Sequence, residues 1–410
     1  MSNSPAEGLS KQCFHCSSMK DQIDEIFQRA KDGKALFQDR KALSPEYIPE
    51  SLPFRQKQIS EVAEVLAPAL HQSKPSNLLL YGKTGTGKTA VARKVVSRLA
   101  EQSAGAIQTP YVNTRIVGTE YRTLSEIAAQ LGIEVPMTGL SIGELVSRIF
   151  RGIQSKGAHV VLVLDEIDYL VNAYRDDILY QFTRAGDRIA PGFLSLIGIS
   201  NNLTFKEGLD PRVLSSLGEE ELVFPPYTTE ELRAILSERS TVAFRPGTVP
   251  EATINLCAAL AGSEHGDARR AVELLRVAGE VAEREGYQHV DEECLRKASD
   301  KVDRDRIQEA LSSLPLQNKI IIVAASRFPS GSNTGELYLA YTGLAKKSGV
   351  EVLTQRRVSG IVGELDLLGL IDATIVSKGR RGRTKRIKVL IDDDTIARVV
   401  KEDAQLIDVL

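Results

Sequence analysis

The sequence predicts an α/β protein: a parallel sheet covered by helices, then an all-helical stretch, then a C-terminal module of helices ending in a β-hairpin. Three observations carry this expectation. Short apolar runs at residues 77–81, 160–164 and 193–200 alternate with segments of helical period up to about residue 226, the pattern of βαβ units. Beyond the break at Phe224-Pro-Pro-Tyr-Thr-Thr229, strand-like runs vanish and helical spacing dominates to about residue 300. From about Asp303, three helix-length segments precede two β-rich arms around a glycine-bearing tip.

The bulk numbers agree. A chain of 410 residues has room for two or three domains. With 42% hydrophobic and 26% charged residues, it has the profile of a soluble globular protein. Net charge is −2, so any attraction to nucleic acid must come from a local basic surface. The four cysteines (Cys13, Cys16, Cys257, Cys294) form no disulfide framework, which points to a reducing compartment. No apolar run is long enough to span a membrane, and no signal-peptide core is visible. The expected location is the cytoplasm, in association with the nucleoid. The expected division is a tail at 1–20, a nucleotide-binding base at 21–226, a helical lid at 227–302 and a C-terminal module at 303–410.

Taken in order, a helical pattern covers Lys20 to Phe37. Leu43 to Phe54 is punctuated by prolines and should be extended. Arg55 to His71 reads as an amphipathic helix with Ile59, Val62, Val65 and Leu66 on one face. Strand 77–81 leads into Gly82–Gly87 and a helix to about Ala100. A polar strand follows at Tyr111–Ile116, then helices at Tyr121–Leu131 and Ser141–Ser155. Val160–Leu164 is all Val and Leu, as suits a parallel strand buried on both faces.

Gly82-Lys83-Thr84-Gly85-Thr86-Gly87-Lys88-Thr89 fits the G-x-x-x-x-G-K-[ST] phosphate loop. Glycines let backbone N–H groups close around phosphate oxygens, and the helix that follows brings its positive end to the same place. Lys88 is expected on the β- and γ-phosphates of ATP or ADP, and Thr89 on Mg²⁺. Strand 160–164 then delivers Asp165 and Glu166 to its C-terminal end, where open α/β sheets hold ligands. Asp165 suits the Mg²⁺ and Glu166 the attacking water. Asp168 reads as structural, at a helix start. Asn201, at the end of the third strand, suits the γ-phosphate or the lytic water.

In the C-terminal module, helices are expected at Leu316–Arg327, Thr334–Ser348 and Thr354–Leu370. The third has Val358, Ile361, Val362, Leu365 and Leu368 on its core face, and Arg356 and Arg357 in its first turns. The arms around Lys378-Gly-Arg380-Arg381-Gly-Arg383-Thr-Lys385-Arg386 follow. From Lys378 to Lys388 there are seven basic residues and no acid. This reads as a winged helix whose third helix enters a major groove and whose basic wing lies along phosphates or enters a minor groove. Cys13-Phe-His15-Cys16 resembles a metal knuckle only faintly, being short of the four ligands zinc takes.

The phosphate loop, Asp165–Glu166, Ile199-Ser-Asn201, Asp210-Pro-Arg212 and Gly266-Asp-Ala-Arg269 together resemble AAA+ ATPases. More narrowly they are similar to archaeal replication initiators of the origin-recognition-complex and Cdc-six type, from about Leu36 to the C-terminus. The resemblance implies an AAA+ base, an all-α lid and a winged helix. It implies that Asn201 is sensor 1, that Arg269 is the lid's sensor 2 arginine, and that Arg212 holds the arginine-finger position. It places residues 37–49 against adenine, with Ile48, Pro49, Arg55 and Tyr227 as contacts, although Phe54-Arg55 stands where the family often has His-Arg. It makes residues 121–139 the initiator-specific insertion, a second contact to DNA. It also implies slow or single-round ATP hydrolysis, double-stranded origin DNA as target, and the replicative helicase and other initiator copies as partners. A nucleotide-locked DNA-binding regulator without useful turnover is the alternative. A clamp-loader-like or transposition ATPase is a third reading, the former disfavoured by the terminal winged helix.

Overall fold

The computed structural model describes residues 35–45, 47–136, 138–202, 204–263, 266–377 and 383–403. It forms two compact units, divided at Leu295/Arg296. That boundary and the one expected at 302/303 both fall inside a single helix, Glu292–Ser313. The Cys13/His15/Cys16 cluster lies outside the described residues, as does all of the Lys20–Phe37 helix before residue 35. Its described end is not helical: Phe37 bridges Phe244 instead.

The first unit opens with α1 (Gln56–Leu66), strand β1 (Leu78–Tyr81) and α2 (Lys88–Gln102). Next come β2 (Ile107–Gln108), β3 (Tyr111–Asn113), α3 (Thr114–Val117), α4 (Glu120–Gln130) and α5 (Ile142–Lys156). β4 (His159–Asp165), α6 (Ile167–Tyr174), α7 (Asp177–Thr183), β5 (Phe193–Ser200), α8 (Pro211–Leu217) and β6 (Glu220–Val223) complete the base. The strands run in the order β2-β4-β5-β1-β6, with β3 also paired to β4, and every pairing is parallel. β4 and β5 are buried on both faces. Each enclosed Val or Leu there is worth about 1.5–3 kcal/mol of apolar transfer, which pins the strand ends that carry the site.

Two expectations need correction here. The strand expected at Tyr111–Ile116 stops at Asn113, because the Asn113 side chain accepts the N–H groups of Arg115 and Ile116 and caps α3. β6, with exposed Glu220 and Glu221, was not expected; it is an edge strand paired only to β1.

The helical part is α9 (Thr229–Ala243), α10 (Glu251–Ser263), α11 (Ala268–Glu285) and the start of α12 (Glu292–Ser313). Thr228 and Glu231 close a capping box on α9. The segment before the sheet is strapped to these helices. Glu283 accepts the N–H groups of Leu36 and Phe37 at 2.9 and 3.3 Å and pairs with Arg40. Phe37 stacks on Phe244 at 4.5 Å between centroids. Gly279 leaves the room: a Cβ there would press into both rings.

The second unit holds α13 (Leu316–Ser326), β7 (Ser332–Asn333), α14 (Thr334–Lys347), α15 (Gln355–Leu367), β8 (Ile371–Ser377), β9 (Arg383–Val389) and α16 (Asp393–Glu402). β9 lies between β7 and β8 in an antiparallel sheet. Val358, Ile361, Val362 and Leu365 are buried as expected. Leu368 is not: it caps the end of α15, just before Gly369 turns left-handed at φ +70°, and is 59% exposed. α16 was not expected; Asp392 caps it, and Ile396, Val399 and Val400 bury its inner face.

Candidate functional site

The C-terminal ends of β1, β5 and β4 lie side by side in the sheet, so the phosphate loop, Asn201 and Asp165–Glu166 share one rim. A cleft of about 850 Å³ opens over it. One wall is Thr84 to Ala90, Asp165, Glu166 and Asn201; the helical part contributes Arg239 from α9 and Ala268, Arg269, Val272 and Glu273 from α11. Leu43 to Pro53 lines the far end, including Tyr47, Ile48 and Pro49.

The loop's glycines are used for their freedom. Gly82 (φ +155°) passes so close to Phe224 that a Cβ would strike its carbonyl. Gly85 (φ +68°) lies against the Asp267 carboxylate, which caps α11. Phosphate loop and lid helix therefore meet where Gly85 has no room for a Cβ, and the Ala268 N–H donates to the Gly85 carbonyl at 3.2 Å. The Lys88 ammonium donates to the carbonyls of Gly82 and Lys83 at 2.8 and 2.7 Å. Burial lowers its pKa to about 8, against the opposing pull of Asp165.

Arg55 occupies a different place from the one expected. It is 2% exposed and donates to the carbonyls of Thr86 (2.9 Å), Phe54 (3.0 Å) and Pro225 (2.7 Å). Its guanidinium lies 3.8 Å from the centroid of Tyr227. Arg55 and Tyr227 thus form a buttress behind the loop, with Tyr227 also lining the cleft. At the far end, Arg239 donates to the carbonyls of Ala42 and Tyr47 and lies 4.6 Å over the Tyr47 ring.

At the acidic end, Thr89 donates to Asp165 Oδ2 at 2.8 Å. The Tyr111 hydroxyl donates to the same oxygen at 2.7 Å, and the Glu166 N–H reaches Oδ1 at 2.9 Å. Burial and the Asp165 charge push the Tyr111 phenol well above its ordinary range, so it stays a donor. Glu166 sits at φ +52°, ψ +43°, a left-handed conformation that costs a non-glycine residue about 1 kcal/mol. That turn aims its carboxylate at the cleft, where Asn113 donates to it at 3.4 Å and Arg115 lies 3.7 Å away. A threonine hydroxyl beside a carboxylate is a hard oxygen pair of the kind Mg²⁺ prefers, so these residues fit the ion. Asp168 accepts from Ser200 at 2.9 Å, a strand-end tie.

Of the expected residues, the cleft gathers Thr84 to Thr89, Ile48, Pro49, Asp165, Glu166, Asn201, Tyr227 and Arg269. Gly82 and Lys83 lie at the loop's entry and meet the Lys88 amine through their carbonyls. The Arg269 guanidinium has no hydrogen bond or ion pair among the described residues. Arg212 is not in the cleft's wall. It is exposed, held by both oxygens of Asp210 at 3.0 and 2.9 Å, and lies 5.3 Å from the Tyr180 centroid. Sequence reasoning missed Tyr111 and Asn113: strand alternation puts both on one face, but only the β3–β4 pairing brings them to Asp165 and Glu166.

In the second unit, Arg356 and Arg357 are exposed in the first turn of α15, with Arg357 3.8 Å from Glu364. Arg386 and Lys388 share the exposed face of β9, opposite buried Ile387. Arg386 also donates to the Ser330 carbonyl at 2.8 Å, and Lys385 is half-buried. Arg383 starts β9. Lys378, Arg380 and Arg381 lie outside the described residues.

The parallel sheet, glycine loop, acidic strand end and lid arginine around one cleft define the class: a P-loop ATPase of the AAA+ type, here joined to a winged helix. Comparison with known proteins narrows it. Residues 71–203 match the AAA domain family, 233–300 the Cdc6 AAA+ ATPase-type lid domain and 309–399 the CDC6 C-terminal winged helix domain. The ORC1-type DNA replication protein 1 of Sulfurisphaera tokodaii is 46% identical over 384 residues, 93% of this chain and 96% of that one. The ORC1-type DNA replication protein of Pyrococcus furiosus is 44% identical over 392 residues, 93% of each chain. The solved ORC1 protein of Aeropyrum pernix in complex with DNA is 44% identical with a TM-score of 0.83, covering 92% of this chain and 100% of that one. The chain belongs to the archaeal ORC1/Cdc6 family of replication initiation proteins.

Proposed function

We propose that the protein is an ATP-dependent, origin-binding initiator and helicase loader in which the bound nucleotide sets the grip on double-stranded DNA. One observation carries the nucleotide part: Arg269, supplied by the lid helix α11, lines the same cleft as the phosphate loop, and its guanidinium has no hydrogen bond or ion pair among the described residues. A guanidinium in that position closes on a γ-phosphate and registers its loss. Adenine fits the Leu43–Pro53 end, and Lys88 leaves the loop carbonyls for the phosphates. Mg²⁺ would be held by Thr89 with Asp165 behind it, and would offset phosphate charge. Glu166 accepts a proton from the attacking water, and Asn201 orients that water. Arg212, exposed and outside the cleft's wall, would act on the cleft of a second copy. The DNA part rests on Arg356 and Arg357 on α15 and the basic wing through Lys385 and Arg386. The Aeropyrum relative was solved on DNA.

The test is Glu166→Gln. Removing a general base costs about 10²–10⁴ in rate, so phosphate release should collapse while ATP binding persists, and the variant should hold one DNA-bound state. If hydrolysis and the nucleotide dependence of DNA binding both match wild type, Glu166 is not the general base and the proposed catalytic reading of the cleft fails.

A further inference from the structure

β3 is an edge strand at residue 111: it pairs with β4 on one side only. On the other side the backbone of Tyr111 is completed by a side chain. Gln130, the last residue of α4, accepts the Tyr111 N–H at 2.8 Å and donates to the Tyr111 carbonyl at 2.9 Å. Its second amide proton goes to Glu126 at 2.8 Å. The amide is therefore committed in one orientation, since the reverse would face donor against donor. This clamp stands in for a missing strand and fixes the Tyr111 backbone.

The clamped tyrosine meets Asp165 Oδ2 at 2.7 Å, while its ring lies 4.9 Å from the Arg93 guanidinium on α2. An ionised carboxylate offers about four lone-pair directions. Three are taken: Tyr111 and Thr89 share Oδ2, and the Glu166 N–H takes Oδ1. One direction on Oδ1 remains. Thr89 spends its proton on Asp165 and keeps its lone pairs free.

We propose that Tyr111, clamped by the Gln130 amide, is a positioning residue that fixes the Asp165 carboxylate for the outer coordination shell of Mg²⁺. The inference rests on the reading of the cleft as an ATP–Mg²⁺ site. Without the phenol, Asp165 can rotate about its terminal bond, and its free lone pair no longer has a set direction. Supporting residues of this kind typically contribute about 10–100-fold to metal affinity.

The experiment measures binding of a fluorescent, non-hydrolysable ATP analogue to the full chain across a Mg²⁺ titration, with a parallel series in EDTA. Tyr111→Phe keeps the ring against Arg93 and removes only the hydroxyl. It should raise the half-saturating Mg²⁺ concentration about 10-fold, with affinity in EDTA unchanged and the thermal midpoint lowered only by the loss of one hydrogen bond to a carboxylate that Thr89 and the Glu166 N–H still hold. Gln130→Met should shift it the same way by a smaller factor. An unchanged Mg²⁺ midpoint in Tyr111→Phe overturns the proposal, as does an equal fall in affinity with and without Mg²⁺, which would mean the residue merely shapes the cleft. Failure of the wild-type chain to bind the analogue, or binding indifferent to Lys88→Ala, would instead overturn the underlying reading of the cleft.

Discussion

Arg55 offers the sharpest separation of roles. It is nearly fully buried, and its donors reach three backbone carbonyls and no point of the open cleft. Arg55→Ala strands the buried Thr86 carbonyl at a cost of about 2 kcal/mol, and the two partly wet carbonyls add about 1 kcal/mol between them. Removing the stack on Tyr227 costs about 1 kcal/mol more. The total of about 4 kcal/mol should lower the unfolding midpoint of the first unit by about 10 °C. Because Thr86 is part of the phosphate loop, nucleotide affinity should also fall, by about ten-fold or 1.4 kcal/mol, equally for ADP and GDP. Arg55→Lys can remake only one of the hydrogen bonds and should recover a minor part of the deficit. Calorimetric melting and competition binding measure both effects. An unchanged midpoint with a shifted adenine-to-guanine preference would show that Arg55 reads the base, and the buttress argument would be wrong.

Lys88 gives a pH dependence. Its pKa in the free protein, about 8, lies below the ordinary lysine value. The buried charge thus costs stability at neutral pH, and the cost is relieved as pH rises from about 8 towards the unfolded value. Phosphate binding needs the protonated amine, so affinity for ADP should decline above about pH 8 with proton uptake on binding. Titration calorimetry in buffers of different ionisation enthalpy reads this, and an affinity flat to pH 9.5 contradicts it. Arg212 gives a test in trans. Arg212→Ala should leave ATP binding intact, and mixing it with Glu166→Gln should restore hydrolysis in mixed assemblies, since each supplies what the other lacks. A mixture no more active than its parts would remove Arg212 from the reaction.

β1, β4, β5 and the phosphate loop are legible because each is a local pattern: an apolar run, a glycine spacing, an acid pair at a strand end; the two-residue β2 carries none. Legible in the same way are α13, α14 and α15, whose core faces recur at helical spacing. Helix α16 carries the same helical spacing at Ile396, Val399 and Val400, with Asp392 as cap, and was legible by the same pattern. β6 carries no such pattern, since an edge strand with exposed Glu220 and Glu221 lacks apolar alternation. The Tyr111–Gln130–Asp165 set was beyond local reading because its members are brought together by β3–β4 pairing and a side-chain clamp. The family resemblance alone makes Arg55 an adenine contact; the path of the chain turns its charge to backbone carbonyls behind the loop.

The central claim is that one cleft governs a specific hold on origin DNA. It is tested most directly by footprinting the protein on its own genomic DNA with ATP or ADP, at several salt concentrations. The account predicts protection confined to repeated origin-like sites and changed by the nucleotide. It predicts too that each of Arg356→Ala and Lys385→Ala reduces the salt slope by about 0.9 for every phosphate the variant no longer neutralises. Uniform protection, indifferent to nucleotide and to those two changes, would contradict it.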